Sequence, residues 1–125
     1  MTALAWVGLV AAGAVGAPAR YLLDAAVQGR TDGAFPWGTL AINASGSLVL
    51  GFVTGLGLYH ALPAAPRLVI GTGFCGAYTT FSTFTFETVR LAEGGALNEA
   101  VRNVVATVVV GGLAAALGLA LAAAA

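Results

Sequence analysis

Ten charged residues, five of each sign, are spread so unevenly along this 125-residue chain that they constrain most of its architecture. They are Arg20, Asp24, Arg30, Asp32, Arg67, Glu87, Arg90, Glu93, Glu99 and Arg102, and they leave uncharged stretches at 1–19, 33–66, 68–86 and 103–125. A helix needs about 20 mostly apolar residues to cross the hydrocarbon core of a bilayer. Four such stretches predict four spans, near 3–26, 37–59, 67–90 and 98–122. The stretch 33–66 holds only one of them, because Gly33 and Pro36 mark a turn before it and Pro63 and Pro66 mark another after it. Trp6, Trp37 and Tyr59 fall near predicted span ends, where amphipathic rings favour the interface.

Composition excludes the alternatives. A soluble domain carries charge on about a quarter of its residues, whereas here the figure is 8%, with 59% hydrophobic. The same apolar content excludes disorder. Balanced charge without a basic run argues against a nucleic-acid partner, and the lack of a Gly-x-x-x-x-Gly-Lys loop argues against a nucleotide. Cys75 is the sole cysteine and His60 the sole histidine, which leaves no metal cage or internal disulfide. No nucleophile triad or paired carboxylates suggest an enzyme. Ala17-Pro18-Ala19 resembles a signal cleavage site, but no Lys or Arg precedes the apolar run, so the first stretch is expected to remain a span. The expected location is the cell (inner) membrane, multi-pass and surrounded by lipid. Arg30, Arg90 and Arg102 against Arg67 would place both termini outside.

Polar residues inside spans need partners from protein, ion or water. Thr39, Asn43 and Ser47 recur every four residues and share one face of span 2. Two readings stand for Asn43, an interhelical hydrogen bond or a pore lining. Span 3 places five hydroxyls among positions 79–85, after glycines at 71, 73 and 76. Glycine and threonine both weaken helix, which predicts a break near 76–80 with free carbonyls, hard ligands suited to an alkali or alkaline-earth cation. Phe81 and Phe84 serve either as packing or as positive ring edges facing an anion, with Ser82 and Thr83 as nearby donors. Arg20 either draws anions to a vestibule or pairs with Asp24 one turn on. Gly8, Gly13, Gly16 and the Gly51-x-x-x-Gly55 pair permit close helix approach, within one chain or between two.

Three segments resemble the Fluc, or CrcB, family of fluoride channels: Gly13-x-x-Gly16-Ala17-x-x-Arg20-Tyr21, Gly38-Thr39-Leu40-x-x-Asn43-x-x-Gly46-Ser47, and Gly73-Phe74-Cys75-Gly76-x-x-Thr79-Thr80-Phe81-Ser82-Thr83-Phe84. The resemblance implies an all-α membrane protein of four transmembrane helices, the third broken mid-membrane, assembled as an antiparallel dual-topology homodimer. It implies fluoride as the ion conducted, with Asn43, Phe81, Phe84, Ser82, Thr83, Thr39 and Thr107 along the pathway and Arg20 at the vestibule. It also implies a structural sodium ion, not transported, held by the backbone carbonyls of Gly76 and Thr79 from both subunits. Ala77 stands where many relatives carry a second glycine, and Thr107 is the one hydroxyl of span 4. A rival is a dual-topology proton-coupled multidrug exporter, which needs a carboxylate in its first span; residues 1–19 contain none.

Overall fold

A computed structural model describes residues 1–125 as helices joined by short turns, with no strand. Helix α1 runs Ala3–Gln28 and α2 Trp37–Tyr59. A short helix α3, Ala64–Leu68, leads into a π-helical segment, Val69–Cys75, and a single turn α4, Gly76–Tyr78. Helix α5 is Phe81–Glu93 and α6 Leu97–Ala124. Helices α1, α2 and α6 are each long and apolar enough to cross a membrane. The apolar stretch between α2 and α6 is helical in two arms, because Thr79 (ψ 160°) and Thr80 (φ −148°, ψ 120°) are extended.

Local chemistry explains the boundaries. Thr2 caps α1, its hydroxyl accepting from the Ala5 amide at 3.2 Å, and Thr80 caps α5 by accepting from the Thr83 amide at 3.1 Å. Pro63 and Pro66 sit at the entry to α3, where a missing amide proton costs least. Gly95 (φ +82°) closes α5, its amide reaching the Ala92 carbonyl while the Ala96 amide reaches that of Leu91. The wider π turn falls where Gly71, Thr72 and Gly73 follow one another, and π turns concentrate at functional sites.

Packing is the reverse of a soluble core. The largest fully buried side chains are Ile42, Asn103 and Cys75, whereas leucines and valines of α1 and α6 face outward. An apolar coat this extensive is stable only when lipid or another chain covers it. Inside, small residues bring backbones together. Helix α2 packs along α6, where a Cβ on Gly51 would overlap the Ala115 carbonyl and one on Gly118 the Leu48 carbonyl. Helix α1 packs against the π segment, where a Cβ on Gly16 would stand 2.5 Å from the Phe74 carbonyl oxygen and one on Gly73 2.8 Å from that of Leu9. These glycines therefore serve contacts within one chain. Gly118→Leu is expected to force α2 and α6 apart, costing about 1–3 kcal/mol, read as a lower melting temperature in detergent. An unchanged midpoint would show that the seam tolerates a side chain.

Candidate functional site

The extended pair Thr79–Thr80 releases backbone groups that a continuous helix would consume. The Thr80 amide, which would otherwise bond the Gly76 carbonyl, donates to Asn43 Oδ1 at 2.8 Å. Asn43 Nδ2 returns a bond to the Thr80 carbonyl at 2.9 Å. The side chain from α2 thus replaces a stretch of helix with a two-point clamp. Gly46, one turn along α2, makes room for it, since a Cβ there would overlap Thr79 Cγ2. The Thr79 amide and hydroxyl both donate to the Cys75 carbonyl, at 2.9 and 2.8 Å. The Thr80 hydroxyl donates to Thr83 Oγ1 at 2.9 Å and lies 3.4 Å from Ser82 Oγ.

Two cavities meet at this clamp. A groove of about 390 Å³ is lined by Asn43, Ser47, Thr79, Thr80, Phe81, Phe84 and Thr107 together with small and aliphatic residues of α2 and α6. A smaller cavity of about 200 Å³ is lined by Arg20, Asp24, Thr39, Thr80 and Thr83, among others. Thr80, itself buried, lines both. The rings of Phe81 and Phe84 stand 5.7 Å apart at 53°, with Phe84 buried and Phe81 77% exposed. Asn43, Phe81, Phe84, Thr79 and Thr107 are therefore brought together, and Arg20, Thr39 and Thr83 form a second group behind them. Ser82 and Gly76 are exposed beside the clamp and line neither cavity.

Geometry bears on two of the open alternatives. Asn43 bonds the extended backbone of Thr80 and also lines the groove, with one of its two amide protons left over. Arg20 does not pair with Asp24, and the sole ion pair in the chain is Arg102 with Glu99 at 3.5 Å. The Arg20 guanidinium instead donates to the Thr79 carbonyl at 3.3 Å, tying α1 to the extended segment. Thr39, only 2% exposed, donates to Glu87 Oε1 at 3.0 Å.

Several contributors escaped the sequence reading. Thr80 was one hydroxyl among five, and nothing in its spacing marks it as the shared wall. Glu87 is one of the ten charges in sequence, and in the fold its Oε2 is buried without a partner, as is Asp24 Oδ1. Asn103 is completely buried on α6 and donates to the Thr88 hydroxyl at 2.9 Å. An amide inside an apolar helix was the available signal for it.

A groove that holds polar side chains beside a clamped backbone interruption, inside helices that show lipid an apolar coat, defines a small multi-pass membrane protein. A family model described as "CrcB-like protein, Camphor Resistance (CrcB)" matches residues 7–119. The chain belongs to the CrcB family. It is 50% identical over 122 residues to a protein of Frankia casuarinae named fluoride-specific ion channel FluC 1, covering 94% of this chain and 95% of that one. It is 49% identical over 106 residues to the Streptomyces avermitilis protein of the same name, covering 85% and 86%. A Mycobacterium tuberculosis protein named fluoride-specific ion channel FluC 2 is 45% identical over 118 residues, covering 94% and 90%. Its relatives are thus named as ion channels, a family that is not enzymatic.

Proposed function

We propose that this protein is a fluoride channel of the inner membrane, passively releasing fluoride from the cytoplasm. The observation that carries the proposal is the clustering of Asn43, Phe81, Phe84 and Thr107 on one groove, with Arg20 and Thr39 behind it across Thr80. The groove is lined by neutral hydrogen-bonding groups and rings with no charged side chain, and Arg20 shares the cavity behind it with Asp24. Such a lining suits an anion that must exchange its hydration shell for fixed donors, held weakly at several points so that it can leave again. Fluoride enters cells as neutral hydrogen fluoride and dissociates inside, and the membrane potential then drives the anion outward with about 2.3 kcal/mol per 100 mV. No coupling ion is required, which separates this mechanism from the proton-coupled exporter.

The working unit is an antiparallel dual-topology homodimer whose third membrane segment is interrupted at mid-membrane by Thr79–Thr80. Phe81, Ser82 and Gly76 support this, because a ring, a hydroxyl and a bare stretch of backbone are left exposed beside the clamp, and a Cβ on Gly76 would touch nothing within 4 Å. A second copy would complete the wall facing them. The sodium assignment fits the same geometry in part. The Gly76 carbonyl has lost its Thr80 amide partner to Asn43, and the Thr79 carbonyl is held only by Arg20 at 3.3 Å. These are neutral oxygens of the kind an alkali cation takes, two from one chain, so a second chain is needed to complete the set. Sodium bound there would supply fixed positive charge at the subunit junction. Within the chain, the Asn43 clamp orients both carbonyls and Arg20 holds that of Thr79.

The test is efflux from liposomes containing the purified protein, with fluoride and chloride followed side by side. The expected result is rapid fluoride release with negligible chloride, and loss of release when sodium is replaced throughout preparation by a bulky organic cation. Equal rates for both halides would overturn the selectivity, and fluoride release indifferent to sodium would remove the cation from the scheme.

A further inference from the structure

Helix α6 carries one buried amide, and its bonding leads to the groove from behind. Asn103 has no exposed surface, and its Nδ2 donates to Thr88 Oγ1 at 2.9 Å. The Thr88 hydroxyl spends its single proton on the Phe84 carbonyl at 2.8 Å, leaving its lone pairs for the amide. The three residues form a directed relay from α6, through one turn of α5, to the backbone of a ring that lines the groove. Thr107 stands one helical turn beyond Asn103 and lines the opposite wall of that groove.

We infer that Asn103, acting through the Thr88 hydroxyl, is the positioning residue that sets the separation between the Phe84 wall and the Thr107 wall, and with it the discrimination between fluoride and larger halides. Asn103 touches no permeating ion, since it lines neither cavity. Its bonding is one-sided: Oδ1 is buried and finds no partner, and a buried amide with an orphan oxygen is a poor way merely to hold two helices together. A leucine would pack α5 against α6 without that penalty but would leave their rotation and spacing to apolar contacts, which are non-directional. A hydrogen-bonded relay has direction. It fixes which turn of α6 faces the carbonyl of Phe84, and so where Thr107 stands relative to the ring. On the fluoride-channel reading the spacing of these walls is what excludes the larger anion, so a small parting of the walls changes selectivity before it changes folding.

The inference rests on the fluoride-channel reading, and wild-type efflux tests that reading separately from the relay. Liposomes with Asn103→Leu, Thr88→Val, Thr88→Ser and the Asn103→Leu/Thr88→Val double variant are compared with wild type for fluoride and chloride efflux. Asn103→Leu and Thr88→Val are each expected to lower the fluoride-to-chloride rate ratio by about tenfold. The double variant should match either single one, because both cut the same relay. Thr88→Ser keeps the hydroxyl and should retain the wild-type ratio. Should Asn103→Leu fail to fold, the Thr88 pair decides, since Val and Ser differ in the hydroxyl that the relay uses. A wild-type ratio in Thr88→Val, an equal loss in Thr88→Ser, or additive losses in the double variant would each overturn the proposal. Absence of fluoride release from the wild type would sink the channel reading itself.

Discussion

Asn43→Leu is expected to abolish fluoride flux, a fall of about a hundredfold or more, and to lower stability as well. The substitution removes both bonds to Thr80 and leaves a backbone N–H and C=O buried without partners. Each orphaned group costs about 1–3 kcal/mol, and a hundredfold corresponds to about 2.7 kcal/mol. The extended segment has no other side-chain partner for those two atoms, so the groove wall loses its shape as well as its amide. Asn43→Asp separates the two roles. A carboxylate accepts from the Thr80 amide but cannot return a bond to the carbonyl, and it adds negative charge to an anion's path. Its expected phenotype is a folded protein without flux. Flux at the wild-type rate in Asn43→Leu, measured by fluoride electrode on reconstituted liposomes, would show that the clamp is dispensable.

The second large effect falls on the rings, and burial makes the two positions unequal. Phe81 is 77% exposed in the chain whereas Phe84 is 8% exposed. Phe81→Ile should therefore leave the melting temperature of the monomeric fold unchanged while cutting fluoride flux by about tenfold or more. Phe84→Ile should cut flux as strongly and cost about 1 kcal/mol besides, as reshaping swaps in a packed site do. Phe81 is the cleaner test of the chain's own interior, and because the second copy is proposed to face that ring, the dimer is checked by size-exclusion chromatography alongside flux. Full flux in both isoleucine variants would return the rings to packing and remove the ring-edge contribution to anion recognition.

Much of this was legible in the order of residues. The gaps between charges locate the long helices because a charge inside hydrocarbon is costly whatever the tertiary arrangement. The weakness around Gly73–Thr80 was visible because glycine and threonine lower helix propensity locally, although the π turn ahead of it was not. Asn43 stood out as an amide in an apolar stretch, and its partner could not be read, since the partner is the backbone of Thr80, thirty-seven positions away. Arg20 and Asp24 sit one turn apart and look like a pair, yet the Thr79 carbonyl lies closer to the guanidinium's reach. The partner of Asn103 is illegible in sequence, because an amide among valines does not show whether its neighbour across the bundle is a hydroxyl or a lipid.

Residue order is enough to place the chain in a membrane, to locate its helices roughly, and to single out the polar side chains that need partners there. Those properties follow from transfer free energies and backbone propensities, which act residue by residue. The tertiary structure alone decided which glycine meets which carbonyl, that Asn43 clamps Thr80, that Thr80 lines two cavities, and that Asn103 reaches Phe84 through Thr88. Hydrogen bonds are short-ranged and directional, so their partners are fixed only when helices distant in the chain have been brought into contact.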